Sequence, residues 1–289
     1  MRVVVFGATG FIGRALLPLV AADHDVVAVS RSAHPPDDQI TWAEADVTDA
    51  EAVRRALDGA EVAYYLVHSL GSADFEERDV AGARITAAAA EAAGVRQLVY
   101  LGGLGEAGED LSPHLRSRLE TGRALASGAV PLTTLRAAVV VGRDSAAFET
   151  IVALVDRLPV MIAPRWVSTP TQPIALSDTV RFLAAVAGRE EALGQTYDVG
   201  GPEVMTYREM IERVARLRGK RRAIVEVPVL TPFLSSLWLH LVTPVGASVA
   251  RPLVEGLRNP TVAHDDRIRD LVPIRLTPFD EAAREALGV

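Results

Sequence analysis

The stretch VVVFGATGFIGRAL, from Val3 to Leu16, decides the fold of this chain. A short apolar run leads into Gly7, and Gly10 and Gly13 follow at intervals of three residues. One glycine permits a tight turn, one lets the backbone approach a pyrophosphate, and one lets the next helix pack closely on the strand. Because a helix N-terminus attracts negative charge, the stretch predicts a strand, a dinucleotide-binding loop and a helix.

Apolar runs short enough for buried strands alternate with helical patterns through the first half of the chain. The predicted strands are RVVVFG, DVVAVS, AYYLVHS, QLVYLGG and PLTTLRAAVVVG. Two of the helices between them have defined ends, since Asp49 and Gly59 bracket one, and Gly94 closes an alanine-rich one. The alternation predicts an α/β fold, a Rossmann-type doubly wound parallel sheet with a smaller C-terminal substrate subdomain.

The alternation of strand and helix patterns ends after Gly142. A proline-rich stretch covers 159–173, and a strand-like QTYDVGG begins at Gln195. We therefore predict an NAD(P)-binding Rossmann domain over 1–142, with 174–201 returning to it. The remaining residues, 143–173 and 202–289, are predicted to form the substrate-binding subdomain.

The composition restricts the partners of the chain. Its 289 residues carry a formal net charge of −7, which gives no general attraction to nucleic acid or anionic lipid. The absence of cysteine excludes disulfides and thiolate chemistry, and the His, Asp and Glu residues show no metal-ligand spacing. We expect a cytoplasmic protein with a small-molecule substrate and neither a metal nor a nucleic-acid partner; a homodimer stays open.

One apolar stretch has the length of a membrane span. Within 227–250 the only ionisable side chain is His240. Pro228, Pro232 and Pro244 break the run, so we expect no stable membrane insertion. Whether this segment covers a pocket, docks a partner or touches a membrane stays open.

The end of the second predicted strand indicates which dinucleotide is bound. Ser30, Arg31 and Ser32 stand where NAD-binding proteins carry an acidic residue for the ribose hydroxyls. A guanidinium makes bidentate, charge-assisted contacts with a 2′-phosphate, which an aspartate would repel. We therefore expect NADP(H) to be favoured over NAD(H), with a solvated surface role for Arg31 as the alternative.

Together these features resemble the short-chain dehydrogenase/reductase superfamily, in its extended or atypical branch. GATGFIG, EADVTD and GVRQLVYLGGLG carry this resemblance. LSPHLRSR, LPVMIAPRWV, QPIAL and GGPEVMT are similar to YbjT-like and NmrA-like members and to the dehydrogenase-like accessory subunit of respiratory complex I. The loop, the second strand end and this resemblance together predict cofactor contacts from Gly7, Thr9, Gly10, Phe11, Ile12, Gly13, Ser30, Arg31, Ser32, Asp46, Val47, Leu66, Val67, His68, Leu101, Gly102, Arg118 and Ala138.

The resemblance also implies an active site with a serine after the fifth strand and a tyrosine four residues before a lysine. Here Gly102 and Gly103 stand in the serine region, His114 at the tyrosine position and Arg118 at the lysine position. Residues four apart share a helix face, so both catalytic candidates should point at the cofactor. Arg118 can donate to ribose hydroxyls but cannot relay a proton. His114 could be an acid near neutrality, although a neighbouring cation favours its neutral form, or it could simply pack.

His68 lies at the end of the predicted strand AYYLVHS, and we expect a strand-end residue there rather than a catalyst. Phe148, Met161, Trp166 and Trp238 are candidates for the wall of an apolar substrate pocket, although isolated aromatic residues also form ordinary core.

The leading hypothesis is an NADP(H)-dependent reductase of a small, largely apolar carbonyl, enone or quinone. The missing serine and tyrosine motivate a non-catalytic NADP(H)-binding sensor or assembly factor instead. An epimerase or dehydratase that uses the cofactor transiently is the third hypothesis, and fold alone does not decide among them.

Overall fold

A computed structural model of the chain describes residues 1–35, 37–69, 75–105, 111–227 and 256–289. The strands are β1 (Arg2–Phe6), β2 (Asp25–Ser30), β3 (Ile40–Glu44), β4 (Val62–Tyr65), β5 (Gln97–Gly103), β6 (Leu132–Ala137), β7 (Val140–Val141), β8 (Val160–Pro164), β9 (Pro170–Thr171), β10 (Ile174–Ala175), β11 (Thr196–Val199), β12 (Met205–Thr206) and β13 (Ala223–Val227). The helices are α1 (Phe11–Ala21), α2 (Ala50–Ala56), α3 (Phe75–Ala92), α4 (Pro113–Leu125), α5 (Ala146–Arg157), α6 (Leu176–Val186), α7 (Tyr207–Leu217), α8 (Arg267–Leu271) and α9 (Phe279–Leu287), with short 3-10 segments at Arg165–Ser168 and Glu190–Ala192.

Seven strands form one parallel sheet in the order β11-β6-β5-β4-β1-β2-β3. The sheet runs outward in both directions from β1, so the carboxyl end of β1 lies at the switch point where such sheets bind ligands. The predicted doubly wound fold is confirmed. The strand β11 pairs with β6 at the sheet edge, so residues 196–199 return to the sheet.

The alternation of buried residues along β1 builds a core on each face of the sheet. Val3 and Val5 pack into a cluster with α1 and α6. Val4 and Phe6 point the opposite way, into a cluster with α2, α3 and α4. Because all four are fully buried, each stabilises the fold by about 1.5–3 kcal/mol.

A third hydrophobic cluster joins α5, α7 and α9 beside the sheet. The C-terminal part is not packed separately, since Ile268 of α8 and Val272 lie in the core of the sheet itself. The predicted division into two domains remains a prediction. Among the described residues, no helix is long and apolar enough to cross a membrane; the stretch 228–250 and Trp238 lie outside them.

The helix ends follow from local chemistry. Asp49 caps α2, its carboxylate accepting from the backbone N–H groups of Glu51 and Ala52 at 3.0 and 3.1 Å. Gly94 ends the turn after α3 with φ +71°, a conformation that favours glycine. The predicted cap and stop are confirmed.

Asp178 links α6 to the C-terminal segment through hydrogen bonds with Thr277. It lies fully buried in the first turn of α6 and accepts from the backbone N–H of Thr277 at 2.6 Å and from its hydroxyl at 3.2 Å. We expect Asp178→Ala to lower the free energy of unfolding by about 1–3 kcal/mol, measured by urea denaturation, because a half-buried N–H loses its acceptor. The control Thr277→Val loses only the hydroxyl bond and should lose clearly less stability; equal losses would contradict this assignment.

Candidate active site

The turn after β1 requires glycine at its first position. Gly7 has φ +82°, and a Cβ there would lie 2.7 Å from the carbonyl carbon and oxygen of Leu66 on the neighbouring chain segment. Gly10 closes the turn, its N–H donating to the Gly7 carbonyl at 3.0 Å. Gly10 is also the N-cap of α1 and supplies no capping side chain, and the first turn of α1 has no acidic residue. The helix N-terminus is therefore suited to an anion.

A groove of about 500 Å³ opens beside this turn, at the carboxyl ends of the central strands. The predicted cofactor residues that line it are Gly7, Thr9, Gly10, Ser30, Arg31, Asp46, Val47, Leu66, Val67 and His68, and Thr48 and Arg78 line it as well. The sequence prediction named neither of the last two, and Arg78 comes from α3, far along the chain. The groove brings the glycine turn and the ends of four strands together.

Two arginines and one aspartate set the charge at one side of the groove. The carboxylate of Asp46 accepts from the backbone N–H and the hydroxyl of Thr48 at 2.9 and 2.7 Å, and these bonds lower its pKa. Arg78 lies 3.8 Å from the same carboxylate. Arg31 is exposed and lines the groove. A guanidinium in that place fits a phosphate-bearing ribose.

The other predicted cofactor residues do not line the groove: Phe11, Ile12, Gly13, Ser32, Leu101, Gly102, Arg118 and Ala138. Gly13 packs against the turn, where a Cβ would collide with the Gly7 carbonyl and with Ala8. Leu101 is buried in the core, because this side of β5 faces the α1 and α6 layer. Ala138 lines a different, apolar pocket.

Arg118 packs on an aromatic ring. Its guanidinium lies 4.8 Å from the centre of the Tyr100 ring, whose hydroxyl donates to the Arg118 carbonyl at 2.9 Å. With Gly102 it lines a separate cavity of about 310 Å³ between α4 and β6. The cation is therefore stabilised by the aromatic ring, and the expected convergence of His114 and Arg118 on the cofactor stays a prediction.

An apolar pocket of about 170 Å³ lies at the carboxyl ends of β5 and β6. Helices α5 and α7 form its other walls; the lining includes Leu104, His114, Ala138, Ala147, Ile151, Trp166 and Tyr207. Of the predicted wall residues, Trp166 is in place. Phe148 and Met161 are 1% and 2% exposed and belong to the core, because their positions on α5 and β8 face inward. Trp238 lies outside the described residues.

Groove and pocket meet at two histidines. His68 lines the groove and His114, in the first turn of α4, lines the pocket. His68 Nε2 lies 3.3 Å from His114 Nδ1, and His68 Nδ1 lies 2.6 Å from Asp79 Oδ2. The Asp79 side chain is 1% exposed and also accepts from the Ser69 N–H at 2.9 Å. His68 is therefore part of a polar cluster, rather than only the strand-end residue that we expected.

The surroundings of these three groups fix their charges. Burial, the neighbouring His68 and the cation of Arg118 lower the pKa of His114 to about 3. Burial also lowers the pKa of His68, although Asp79 opposes this. Burial alone would raise the pKa of Asp79, but hydrogen bonds from His68 and Ser69 bring it below its usual value. This pKa keeps His114 neutral at physiological pH, and its role as an acid stays a prediction.

Asp79 and Tyr207 are the main omissions from the sequence prediction. Asp79 sits in an alanine-rich helix with no motif around it, and only the fold brings it to His68. The hydroxyl of Tyr207 is engaged with Thr171 and Thr261, and burial raises its pKa. Within the described part of the chain, no group of three or more His, Asp or Glu residues could hold a metal ion.

Comparison with known proteins finds a family model and curated relatives that match this chain. Residues 7–142 match a family model described as NAD(P)H-binding. The chain is 24% identical over 223 residues to the Arabidopsis thaliana protein "NADH dehydrogenase (ubiquinone) 1 alpha subcomplex subunit 9, mitochondrial", a match that covers 72% of this chain and 56% of that protein. This chain thus spans about half the length of the curated relative.

Two solved structures share the fold over almost the whole chain. A Staphylococcus aureus nucleoside-diphosphate-sugar epimerase is 18% identical with a TM-score of 0.79, and 99% of this chain and 100% of that one are covered. An Escherichia coli NADPH-dependent quinone oxidoreductase, solved with NADPH, is 20% identical with a TM-score of 0.78 and the same coverage. At these identities the likeness shows the fold. Residues 7–142 therefore match an NAD(P)H-binding family model, and the whole chain shares the fold of these epimerase and oxidoreductase structures.

Proposed function

We propose that this chain is an NADPH-dependent reductase of a small, largely apolar carbonyl compound, enone or quinone. The observation that carries the proposal is the contact between His68 and His114, which joins the dinucleotide groove to the apolar pocket. A reductase needs its cofactor and its substrate side by side, with polar groups at the junction. The similar fold of the NADPH-dependent quinone oxidoreductase supports the same assignment.

The groove fits the parts of NADPH in turn. The Gly7–Gly10 turn and the start of α1 suit the pyrophosphate, and Arg31 with Arg78 suits the 2′-phosphate. When bound, the cofactor would supply a hydride, and the remaining requirements fall on the protein. The chain must position the acceptor, keep water away from it and deliver one proton to its oxygen.

The apolar pocket limits the substrate by size and polarity. Its volume of about 170 Å³ is similar to that of an engineered cavity of about 150 Å³ that holds one benzene ring. Its walls come mainly from aliphatic and aromatic side chains, with His114 as a polar contact. We therefore propose single-ring quinones and small enones or ketones as substrates.

The turnover test follows NADPH absorbance with a panel of single-ring quinones, enones and ketones. Ala147→Phe fills the pocket from α5 and should lower kcat/KM by about 5–150-fold, since overpacking costs about 1–3 kcal/mol. Its NADPH affinity should not change. Ala146→Phe, one residue earlier and outside the pocket lining, is the matched control. Absence of turnover across the whole panel would refute the reductase.

A second candidate is a binding protein that holds NADP(H) without turnover. Two observations favour it: glycines occupy the serine region, and His114 is not a cationic acid. The similarity to a subunit of mitochondrial NADH dehydrogenase is compatible with an assembly role. Tight NADPH binding by calorimetry without turnover of any panel substrate would support this candidate over the reductase.

A further inference from the structure

We propose that Asp79, His68 and His114 form a proton relay, in which Asp79 holds a proton on His68 and His114 delivers it to the oxygen of a carbonyl substrate in the apolar pocket. The inference rests on the proposed reductase function and deepens it. It assigns the proton donor in a chain that has glycines and a histidine where the superfamily has serine and tyrosine.

The positions of the hydrogens follow from the acceptors. Asp79 is ionised, and its second oxygen already accepts from the Ser69 N–H at 2.9 Å. A carboxylate has no hydrogen to donate, so the hydrogen in the 2.6 Å contact belongs to Nδ1 of His68. A neutral His68 then has a lone pair on Nε2, which accepts the Nδ1 hydrogen of His114 across 3.3 Å. In this resting state, Nε2 of His114 carries no hydrogen.

One added proton reverses the direction of the hydrogen bond between His68 and His114. With the charge on His68, beside Asp79, both of its ring nitrogens carry hydrogens, and His114 Nδ1 becomes the acceptor. The hydrogen of neutral His114 then sits on Nε2, the nitrogen left for a molecule in the pocket. His114 therefore donates without being a cation in the resting complex. Its low pKa is compatible with this role because His68 stores the charge.

The reduction balances with one proton. A carbonyl acceptor takes a hydride, with its two electrons, from NADPH and one proton from His114 Nε2, which gives the alcohol or hydroquinone and NADP⁺. As that N–H bond breaks, the Nε2 hydrogen of His68 passes to His114 Nδ1 and His68 becomes neutral. The side chain of His68 is 21% exposed on the groove side, so solvent can reload it.

The charged groups around His68 set the pH dependence. Asp79 on α3 favours the loaded state, whereas burial and Arg118 on α4 oppose it, and His114 makes the remaining polar contact with the ring. Because the protonated form is active, turnover should fall as the pH rises through the pKa of His68. Removing the Asp79 charge lowers the pKa of His68, so turnover should begin to fall at a lower pH.

The test compares Asp79→Asn, which keeps the shape and the acceptor oxygen, with Glu77→Gln, an exposed residue on the same helix. We expect Asp79→Asn to lower kcat near neutral pH by about 100-fold and to leave NADPH affinity little changed. The pH at which kcat falls should shift to a lower value. Glu77→Gln should change none of these. His114→Gln should lose kcat to a similar extent, since it removes the terminal donor.

Nitrogen NMR of the histidine rings gives a readout that does not depend on turnover. The native chain should show His68 and His114 both with the hydrogen on Nδ1 at high pH, and the pKa of His68 should fall in Asp79→Asn. An Nε2–H form of His68, or a pKa that Asp79→Asn leaves unchanged, overturns the relay. So does native-like kcat in both Asp79→Asn and His114→Gln. If the native chain reduces no carbonyl, the proposed function fails, and the NMR alone decides whether the three groups share a proton.

Discussion

Replacing Gly7 with alanine should lower the free energy of unfolding by about 2–5 kcal/mol and abolish NADPH binding. The left-handed backbone at φ +82° costs an L-residue about 1–2 kcal/mol. The new Cβ would lie 2.7 Å from the carbonyl of Leu66, a backbone group that can move only by shifting β4, and such overpacking costs a further 1–3 kcal/mol. The shift would also distort the turn that faces the pyrophosphate.

Gly94→Ala separates the two contributions. Gly94 has a similar φ of +71°, but a Cβ there would have no atom within 4 Å. It should lose only about 1–2 kcal/mol and keep native NADPH affinity. Urea denaturation and calorimetric titration of both variants measure the difference. Equal stability losses, or native NADPH affinity in Gly7→Ala, would show that close packing at the turn is not what requires glycine.

The sequence predicted the fold because its determinants are local. Gly7, Gly10 and Gly13 lie within seven residues of one another, and the strand β1 alternates between two cores over five residues. Hydrophobic period, caps and turn glycines act over such distances, so they can be recognised without coordinates. The strand β3 was recognised only at its end, since its residues are mostly half-buried or exposed.

The site was predicted only in part, because its chemistry depends on long-range contacts. His68 and His114 are 46 residues apart, and Asp79 joins them from a helix with no motif. The spacing of His114 and Arg118 indicated a shared helix face, but it could not show that the guanidinium lies over the Tyr100 ring. Nothing in the local pattern distinguishes Trp166, which lines the pocket, from Phe148, which lies in the core.

The preference for NADPH is expected to depend on Arg31. Arg31→Asp should weaken NADPH binding by about 10–100-fold, since charge-assisted hydrogen bonds contribute about 1.5–3 kcal/mol and the new carboxylate repels the 2′-phosphate. NADH has no 2′-phosphate, so its affinity should fall much less or improve, because an aspartate can accept from both ribose hydroxyls. The ratio of the two dissociation constants is therefore the quantity to measure.

A matched control separates this contact from the general field of the protein. Arg84→Asp on α3 makes the same charge change at an exposed position outside the groove lining. It should weaken both cofactors slightly and leave their ratio unchanged, because a distant surface charge is screened by salt. If Arg31→Asp also leaves the ratio unchanged, Arg31 is a solvated surface residue. Arg78, the other guanidinium of the groove, would then be the remaining contact for the phosphate.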